Sequence, residues 1–587
     1  MPKRGGAVHV TTHRRHYVGK DGVETTYETH LLRRSWREGG KVRNETVANL
    51  SHLPAELIEV IRRSLTGETF VPASAAATVT RSLPHGHVAA VSAQAHTLGL
   101  PGLLGPACRD RDLALGLIVS RVLRPASKLS TIGWWDDTTL GVDLGIADAS
   151  TDEVYAAMDW LLARQDSIEA KLAARHLAPG VNPGKIAMFD LSSSWMTGKH
   201  CPLAARGYSR DGKKGLPQIE YGLLTDPAGR PVAVRVFAGN TADPSAFTEA
   251  VSVVRDKFGL TQLVMVGDRG MITTARIKAL KDLGGLSWLT CLRAPAIKAL
   301  AADDGPLQMT LFDQADLAEI AHPDYPGERL IACRNPALAT ERARKRDALL
   351  NATQTALAPI QAAVTAGRLR GADKIGARTG AVIGKYKMAK HFQWSATDTT
   401  LTVTRNHAQI TAEAALDGIY IIRTNVPADQ LDPAAAVTAY KNLAHVERDF
   451  RSMKAIDLDL RPVRHWTEDR VKAHVLICTL AAYLIWHLRR AWAPLTYTDE
   501  NPTNTRPNPV APAKRSQAAE QKASRRRDQD NQPLHDFTGL LTHLATLIRN
   551  DLQYGPDGPT VPTLSEPTPL QRRAFDLLAA PIPLALK

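Results

Sequence analysis

KIAMFDLSS (Lys185–Ser193), PQIEYGLLTD (Pro217–Asp226), RPVAVRVFAG (Arg230–Gly239), QLVMVGD (Gln262–Asp268) and LSWLTCL (Leu286–Leu292) decide the fold. Each is a short apolar run bounded by Gly, Pro, Asp or Asn, which reads as a strand. Helical periodicity appears near Ser245–Phe258 and again near Ile272–Leu283, so the order is β-β-β-α-β-α-β. Three consecutive strands followed by strand–helix alternation predict a mixed α/β sheet covered by helices.

Outward from this core the pattern changes several times. Residues 11–48 read as short strands with turns at Gly19-Lys20-Asp21-Gly22 and Gly39-Gly40, and they carry Arg14, Arg15, Arg33, Arg34, Arg37, Lys41 and Arg43. Such a basic sheet suits DNA phosphates, and it equally suits a solvated charged face. From Pro54 to His176 apolar residues recur every three to four positions, as in ALGLIVSRVL (Ala114–Leu123) and EVYAAMDWLLA (Glu153–Ala163), which predicts an all-helical region. Between Cys291 and Tyr440 lie strand-like QMTLF, RLIACR, TLTVTRN and GIYIIRTN and a charged helix near Leu338–Ala366, too much for a loop. A helix over Pro433–Met453 follows.

The expected organisation is therefore a small basic β-rich region (1–53), a helical domain (54–180), a mixed α/β core (181–295 and 433–490) and an inserted β-rich subdomain (296–432). Residues 496–535, rich in Pro and carrying Lys514-Arg515 and Arg525-Arg526-Arg527, predict a disordered basic linker. A C-terminal helical segment (536–587) completes it, with FTGLLTHLATLIRNDL (Phe537–Leu552) as its amphipathic helix.

Composition narrows the function classes. A net charge of +14 over 587 residues favours polyanionic partners without naming one. The five cysteines are scattered with no C-x-x-C pair, against a zinc ribbon or a disulfide framework, and a reducing cytoplasm is expected. The start has no apolar run of signal-peptide length. The most apolar stretch, Ala473–Trp486, is shorter than the ~18 residues a membrane span needs, so it is expected as a buried core helix, with no membrane partner.

Two acids end apolar strands: Asp190 after AMF and Asp268 after LVMVG. Strand ends in one sheet would bring them together although they are far apart in sequence. Carboxylates that close repel one another unless cations sit between them, and paired Mg²⁺ ions require such oxygen ligands. Singly, an Asp at a strand end is more often a turn former or helix N-cap. A third acid, Glu447, lies on a helix with two faces. Leu443, Val446, Phe450 and Met453 form a core stripe; Tyr440, Ala444, Glu447, Arg451 and Lys454 form a second. An exposed helix with a Glu447–Arg451 ion pair fits the same spacing.

These residues resemble the DDE transposases of bacterial insertion sequences, of the IS-four type, over roughly residues 185–490. The helix is similar to that group's Y-x2-R-x3-E-x6-K signature, with Tyr440, Glu447 and Lys454 on its first, third and fourth letters. Leu443 stands where the signature has Arg, leaving Arg448 or Arg451 to supply the charge. The loop Gly207-Tyr208-Ser209-Arg210-Asp211-Gly212-Lys213-Lys214-Gly215-Leu216-Pro217-Gln218 resembles the family's G-x-S-K-D-x-R-x-x-L-P-Q, and Gly239-Asn240-Thr241 and Arg461–Trp466 match further motifs.

The resemblance implies an RNase H-like catalytic core at 181–295 and 433–490, a DNA-binding or assembly role for the helical domain at 54–180, and an enzyme that binds transposon ends, cleaves them and joins the 3′-OH ends to target DNA. Asp190, Asp268 and Glu447 would be catalytic and would hold two Mg²⁺ ions, with Mn²⁺ able to substitute. Tyr440, Arg448, Arg451, Lys454, Lys213 and Lys214 would contact DNA. Trp394 would stack on a flipped base, its competing role being an ordinary core tryptophan. The implied partners are terminal inverted repeats, target DNA and a second copy of the chain on DNA, in the bacterial cytoplasm at the nucleoid. Two other readings are an RNase H-like nuclease without strand transfer, served by the same carboxylates, and a non-catalytic DNA-binding descendant of a transposase, whose mark would be a broken acidic set that this sequence does not show.

Overall fold

A computed structural model describes the chain except residues 1–5, 71–76, 199, 261, 284–285, 303–304, 501–507, 529, 556 and 587. It divides into two units, residues 1–82 with 550–563, and residues 83–549 with 564–587.

In the first unit, β1 (Ala7–Val18), β2 (Glu24–Glu38) and β3 (Lys41–Asn49) form one antiparallel sheet in that order. The expected turns are there, with Gly22, Gly39 and Gly40 at positive φ, but the strands are longer than the sequence suggests. Helix α1 (Ala55–Leu65) belongs to this unit, which therefore runs past the expected boundary at residue 53. Strand β4 (Thr78–Pro84) begins the passage into the second unit.

The second unit opens with helices: α2 (Gly86–Thr97), α3 (Leu100–Leu104), α4 (Arg109–Leu123), α5 (Lys128–Asp136), α6 (Thr139–Asp143), α7 (Thr151–Leu162) and α8 (Gln165–His176). Ser150 starts α7 with a capping box closed by Glu153. Buried Glu169 on α8 accepts from the Val234 N–H and from Arg235, fixing the helical layer to the next sheet.

That sheet has β5 (Ile186–Trp195), β6 (Gln218–Thr225), β7 (Pro231–Ala238), α9 (Asp243–Ser252), β8 (Leu263–Val266), α10 (Thr274–Leu283) and β9 (Leu286–Cys291), the order predicted. In space the strands run β7-β6-β5-β8-β9, antiparallel from β7 to β5 and parallel from β5 to β9. This is the mixed sheet of an RNase H-like core.

The expected inserted subdomain needs correction. After α11 (Ala294–Leu300), strands β10 (Leu317–Ile320) and β11 (Arg329–Arg334) join the central sheet through β14 (Ile419–Thr424), making eight strands ordered β10-β11-β14-β9-β8-β5-β6-β7. Only α12 (Pro336–Thr365), α13 (Ala372–Tyr386), the hairpin β12 (Phe392–Ala396) with β13 (Leu401–Arg405), and α14 (His407–Ala414) leave the sheet. They close on their own apolar contacts among Leu350, Leu357, Ile383, Met388 and Phe392, and Arg346 grips Asp417 through two hydrogen bonds at their base. QMTLF is a 3-10 turn that buries Phe312, not a strand, since apolar runs this short fit either period.

The predicted helix over Pro433–Met453 breaks at Asn442 into α15 (Pro433–Lys441) and α16 (Leu443–Arg451), which ends in a π-turn over Ser452–Ile456. Helix α17 (Glu468–Ala491) is longer than the apolar stretch that announced it. By length and composition it could cross a membrane, but 83% of its apolar window is buried, packed against α4, α7 and β7.

Residues expected as a disordered linker are partly ordered. The described residues include α18 (Gln517–Arg525), capped by Ser516, and a fully buried Val510. Lys441 Nζ donates to the carbonyls of Pro509, Val510 and Ala511, tertiary hydrogen bonds that composition cannot reveal. Residues 501–507 lie outside the described residues. The helix expected over Phe537–Leu552 stops early: α19 (Phe537–Ala545) gives way to β15 (Ile548–Gln553), which lies between β4 and β16 (Thr560–Leu564). Pairing with a strand from the far end of the chain overrides the local helical period. The last helix is α20 (Pro569–Leu577).

Where α5 meets α17, Lys128 is buried with its Nζ 3.4 Å from His474 Nδ1, near Arg121 and His465. Burial, then the charge of Arg121, lowers the Lys128 ammonium from 10.5 to about 7. The unfolded chain therefore binds the extra proton between these two values, and stability gains from Lys128 as pH rises through that window. In Lys128→Met the urea midpoint should rise less between pH 7 and pH 10 than in the parent; equal slopes would refute this.

Candidate active site

Asp190 and Asp268 come together through strand register. Met188 pairs with Val266 across the parallel β5–β8 pair, so two residues further on Asp190 stands abreast of Asp268. Neighbouring strands lie about 4.8 Å apart. The apolar strands are buried to their last residues, leaving Asp190 half-buried and Asp268 exposed at the edge of the core.

Glu447 arrives from the helix laid over this face. Asp190, Ser192 and Ser194 alternate to one side of β5, opposite Leu223, Tyr221 and Ile219 of β6. The Tyr221 ring meets Phe450 of α16 edge-on at 5.6 Å, so α16 covers the side that carries Asp190. Val446, Phe450 and Met453 bury the predicted core stripe, with Leu443 packed partly against it. Glu447 is exposed on the flank, and no ion pair to Arg451 forms among the described residues.

Electrostatics ties the three acids together. The Asp190 carboxyl is pushed up to about 7, chiefly by burial; the Leu191 N–H and the Arg210 charge oppose the shift, and the charges of Asp268 and Glu447 add to it. Asp190 and Asp268 each turn an oxygen onto the following backbone N–H, at 2.8 and 2.6 Å. No group of three His, Cys, Asp or Glu side chains able to hold a metal ion is closed among the described residues. As a donor set, Asp190, Asp268 and Glu447 offer carboxylate oxygens, the chemistry that a hard divalent cation takes.

The other expected contacts divide. The Tyr440 hydroxyl is hydrogen-bonded to Cys291 at the end of β9, within the fields of Asp268 and Arg269, and burial raises it well above its ordinary value. Arg448 and Arg451 are exposed, as are Lys213 and Lys214. Trp394 is 41% exposed on β12, its ring edge over Gly376 of α13, so it is not a fully buried core residue.

Lys454 does not stand free for a phosphate. It is buried in the π-turn after α16 and bonds Asp211 at 2.8 Å, and Arg461 meets the same carboxylate. The π-turn swings Lys454 inward from the stripe that an unbroken helix would give it. Asp211, held also by the Trp195 N–H, pins the 207–218 loop, and that loop brings Arg210 to Asp190. Arg210 was missed in the sequence as a site residue, although it stands on the Lys letter of the resembled loop motif.

A mixed sheet of this strand order, covered by helices, defines the RNase H-like class of folds. A family model described as a transposase DDE domain matches residues 192–485, starting two residues after Asp190. Residues 18–73 match the N-terminal domain of IS1634 family transposases. The chain belongs to the DDE transposases of insertion sequences, and the IS1634 match is a variation on the IS-four type that the motifs suggest. Among curated proteins no match is found.

Replacing Asp211 by Ala should cost about 3 kcal/mol, because it leaves the buried Lys454 without its counter-charge. Denaturant titration reads this as a lowered midpoint with an unchanged slope; an unshifted midpoint would show that the pair carries no stability.

Proposed function

We propose that this DNA transposase binds transposon ends, cleaves them and joins the freed 3′-OH to target DNA at a site formed by Asp190, Asp268 and Glu447. The observation that carries the reading is the register of β5 with β8, which sets two acids abreast, with the charge of Glu447 felt at the same carboxylate. Divalent metal dependence is general for DDE transposases, and the two ions proposed here are Mg²⁺, with Mn²⁺ as a substitute. Asp190, Asp268 and Glu447 would hold them, and when bound they supply Lewis-acid stabilisation of charge on the attacking and leaving oxygens.

The chain's own residues orient the DNA. Arg210 places a cation at Asp190, where the backbone must approach two acids. Tyr440 brings a hydroxyl beside Asp268 and Arg269, and exposed Arg448 and Arg451 lie on the helix that carries Glu447. Phosphate contacts of this kind set position and register, not sequence preference. Lys213, Lys214 and Trp394 sit on exposed surface, suited to DNA further from the chemistry. Joining two ends requires two such sites, hence two copies on DNA, and the nucleoid in the cytoplasm is where that DNA lies.

Asp190→Asn, Asp268→Asn and Glu447→Gln should each lower cleavage of a labelled transposon end by on the order of a thousandfold or more, with end binding retained. Wild-type cleavage by any of them would remove that residue from the site. In the same assay with target plasmid, joined product is expected from the parent protein. Cleavage without joining would instead favour the nuclease reading.

A further inference from the structure

The three-stranded sheet of the first unit has two chemically different faces. Residues directly opposite on antiparallel strands share a face, and the face alternates along each strand. One face carries His9, His13 and Arg15 of β1, with Tyr27, Arg33 and Arg37 of β2; Thr46, Asn44 and Val42 of β3 stand opposite the last part of β2. The other face carries Arg14, Arg34, Lys41 and Arg43, and with them all four acids of the three strands, Glu24, Glu28, Glu38 and Glu45. On that second face Arg14 pairs with Glu28 at 2.6 Å and Arg43 with Glu38 at 3.7 Å. Helix α1 also lies on that side, since Arg62 donates to Thr12. The first face thus holds three arginines and not one acid.

Two further features mark this face. The Nε atom of half-buried Arg33 is shielded and has no hydrogen-bond partner. Beyond Leu31, β2 has only β1 beside it, so His13–Val18 and Glu24–Thr29 project as a two-stranded arm. Tyr17 and Tyr27 are each 59% exposed on it. A two-stranded hairpin is marginal in water by itself, and a ribbon of this width fits the major groove of duplex DNA.

We propose that the acid-free face of β1–β3 is a duplex-DNA docking surface, with Arg15, Arg33 and Arg37 on phosphates and the β1–β2 arm in the major groove. Charge complementarity selects the occupant: a face with cations, hydroxyls, aromatic rings and no carboxylate matches a polyanion, whereas the balanced face opposite does not. The proposal rests on the transposase reading but not on the three acids, and it adds a DNA site remote in sequence from the chemistry.

The test uses full-length protein and a mixed-sequence duplex, with affinity measured by fluorescence anisotropy across a salt series. Arg15→Ala/Arg37→Ala should reduce the slope of log K against log salt by about 1.8, roughly 0.9 for each phosphate that is no longer neutralised. Arg14→Ala/Arg43→Ala removes equal charge from the opposite face and should leave the slope unchanged. Equal reductions in the two doubles, or none in either, would overturn the proposal. Asp190→Asn in the same series should keep the parent slope while losing cleavage, so failure of the docking surface and failure of the catalytic reading give different results.

Discussion

Repulsion between like charges at the end of a buried sheet is the constraint around which the second unit is organised. Asp190 and Asp268 are forced abreast by a parallel pair whose own residues are wholly apolar, so register cannot slip without burying acid. The cost of that placement is visible at Asp190, where burial and two neighbouring acids all favour the protonated form. In the proposed reading a divalent cation at these acids would offset that cost.

Around it the fold spends its polar groups on holding loops in place. Asp211 gathers Lys454, Arg461 and the Trp195 N–H, so the 207–218 loop, the π-turn after α16 and the stretch before α17 meet at one carboxylate. A cation that the resemblance assigns to DNA is thereby used inside the protein, and Arg210 is delivered to the acids in its place. Helix α17 lies in the core, packed by α4, α7 and the edge strand β7, and its buried apolar residues run along most of its length.

Charge is also sorted in the first unit, although there the carrier is a pleated sheet and the sorting is by parity. Acids confined to one face leave the other with arginines and no carboxylate, a pattern that a count of basic residues cannot show. In the proposed readings the two units would meet DNA by different physics, one through acids that take cations and the other through arginines that replace them.

Much of this was legible in the residue order. The strand–helix alternation from Lys185 to Leu292 sets the sheet because a buried strand must be apolar along its length, and an acid at its end can only emerge where burial stops. The core stripe of Val446, Phe450 and Met453 and the turns of the N-terminal sheet follow from local periodicity and glycine conformation in the same way. What tertiary structure alone decided are matters of distant partners. Strands β10, β11 and β14 extend the central sheet instead of forming a separate insert, and β15 leaves a helical pattern to lie beside β4. Residues 509–511 are ordered by Lys441, and Lys454 is turned inward by a π-turn. Each depends on a hydrogen bond or ion pair between residues far apart in the chain, and periodicity, being a property of neighbours, carries no record of them.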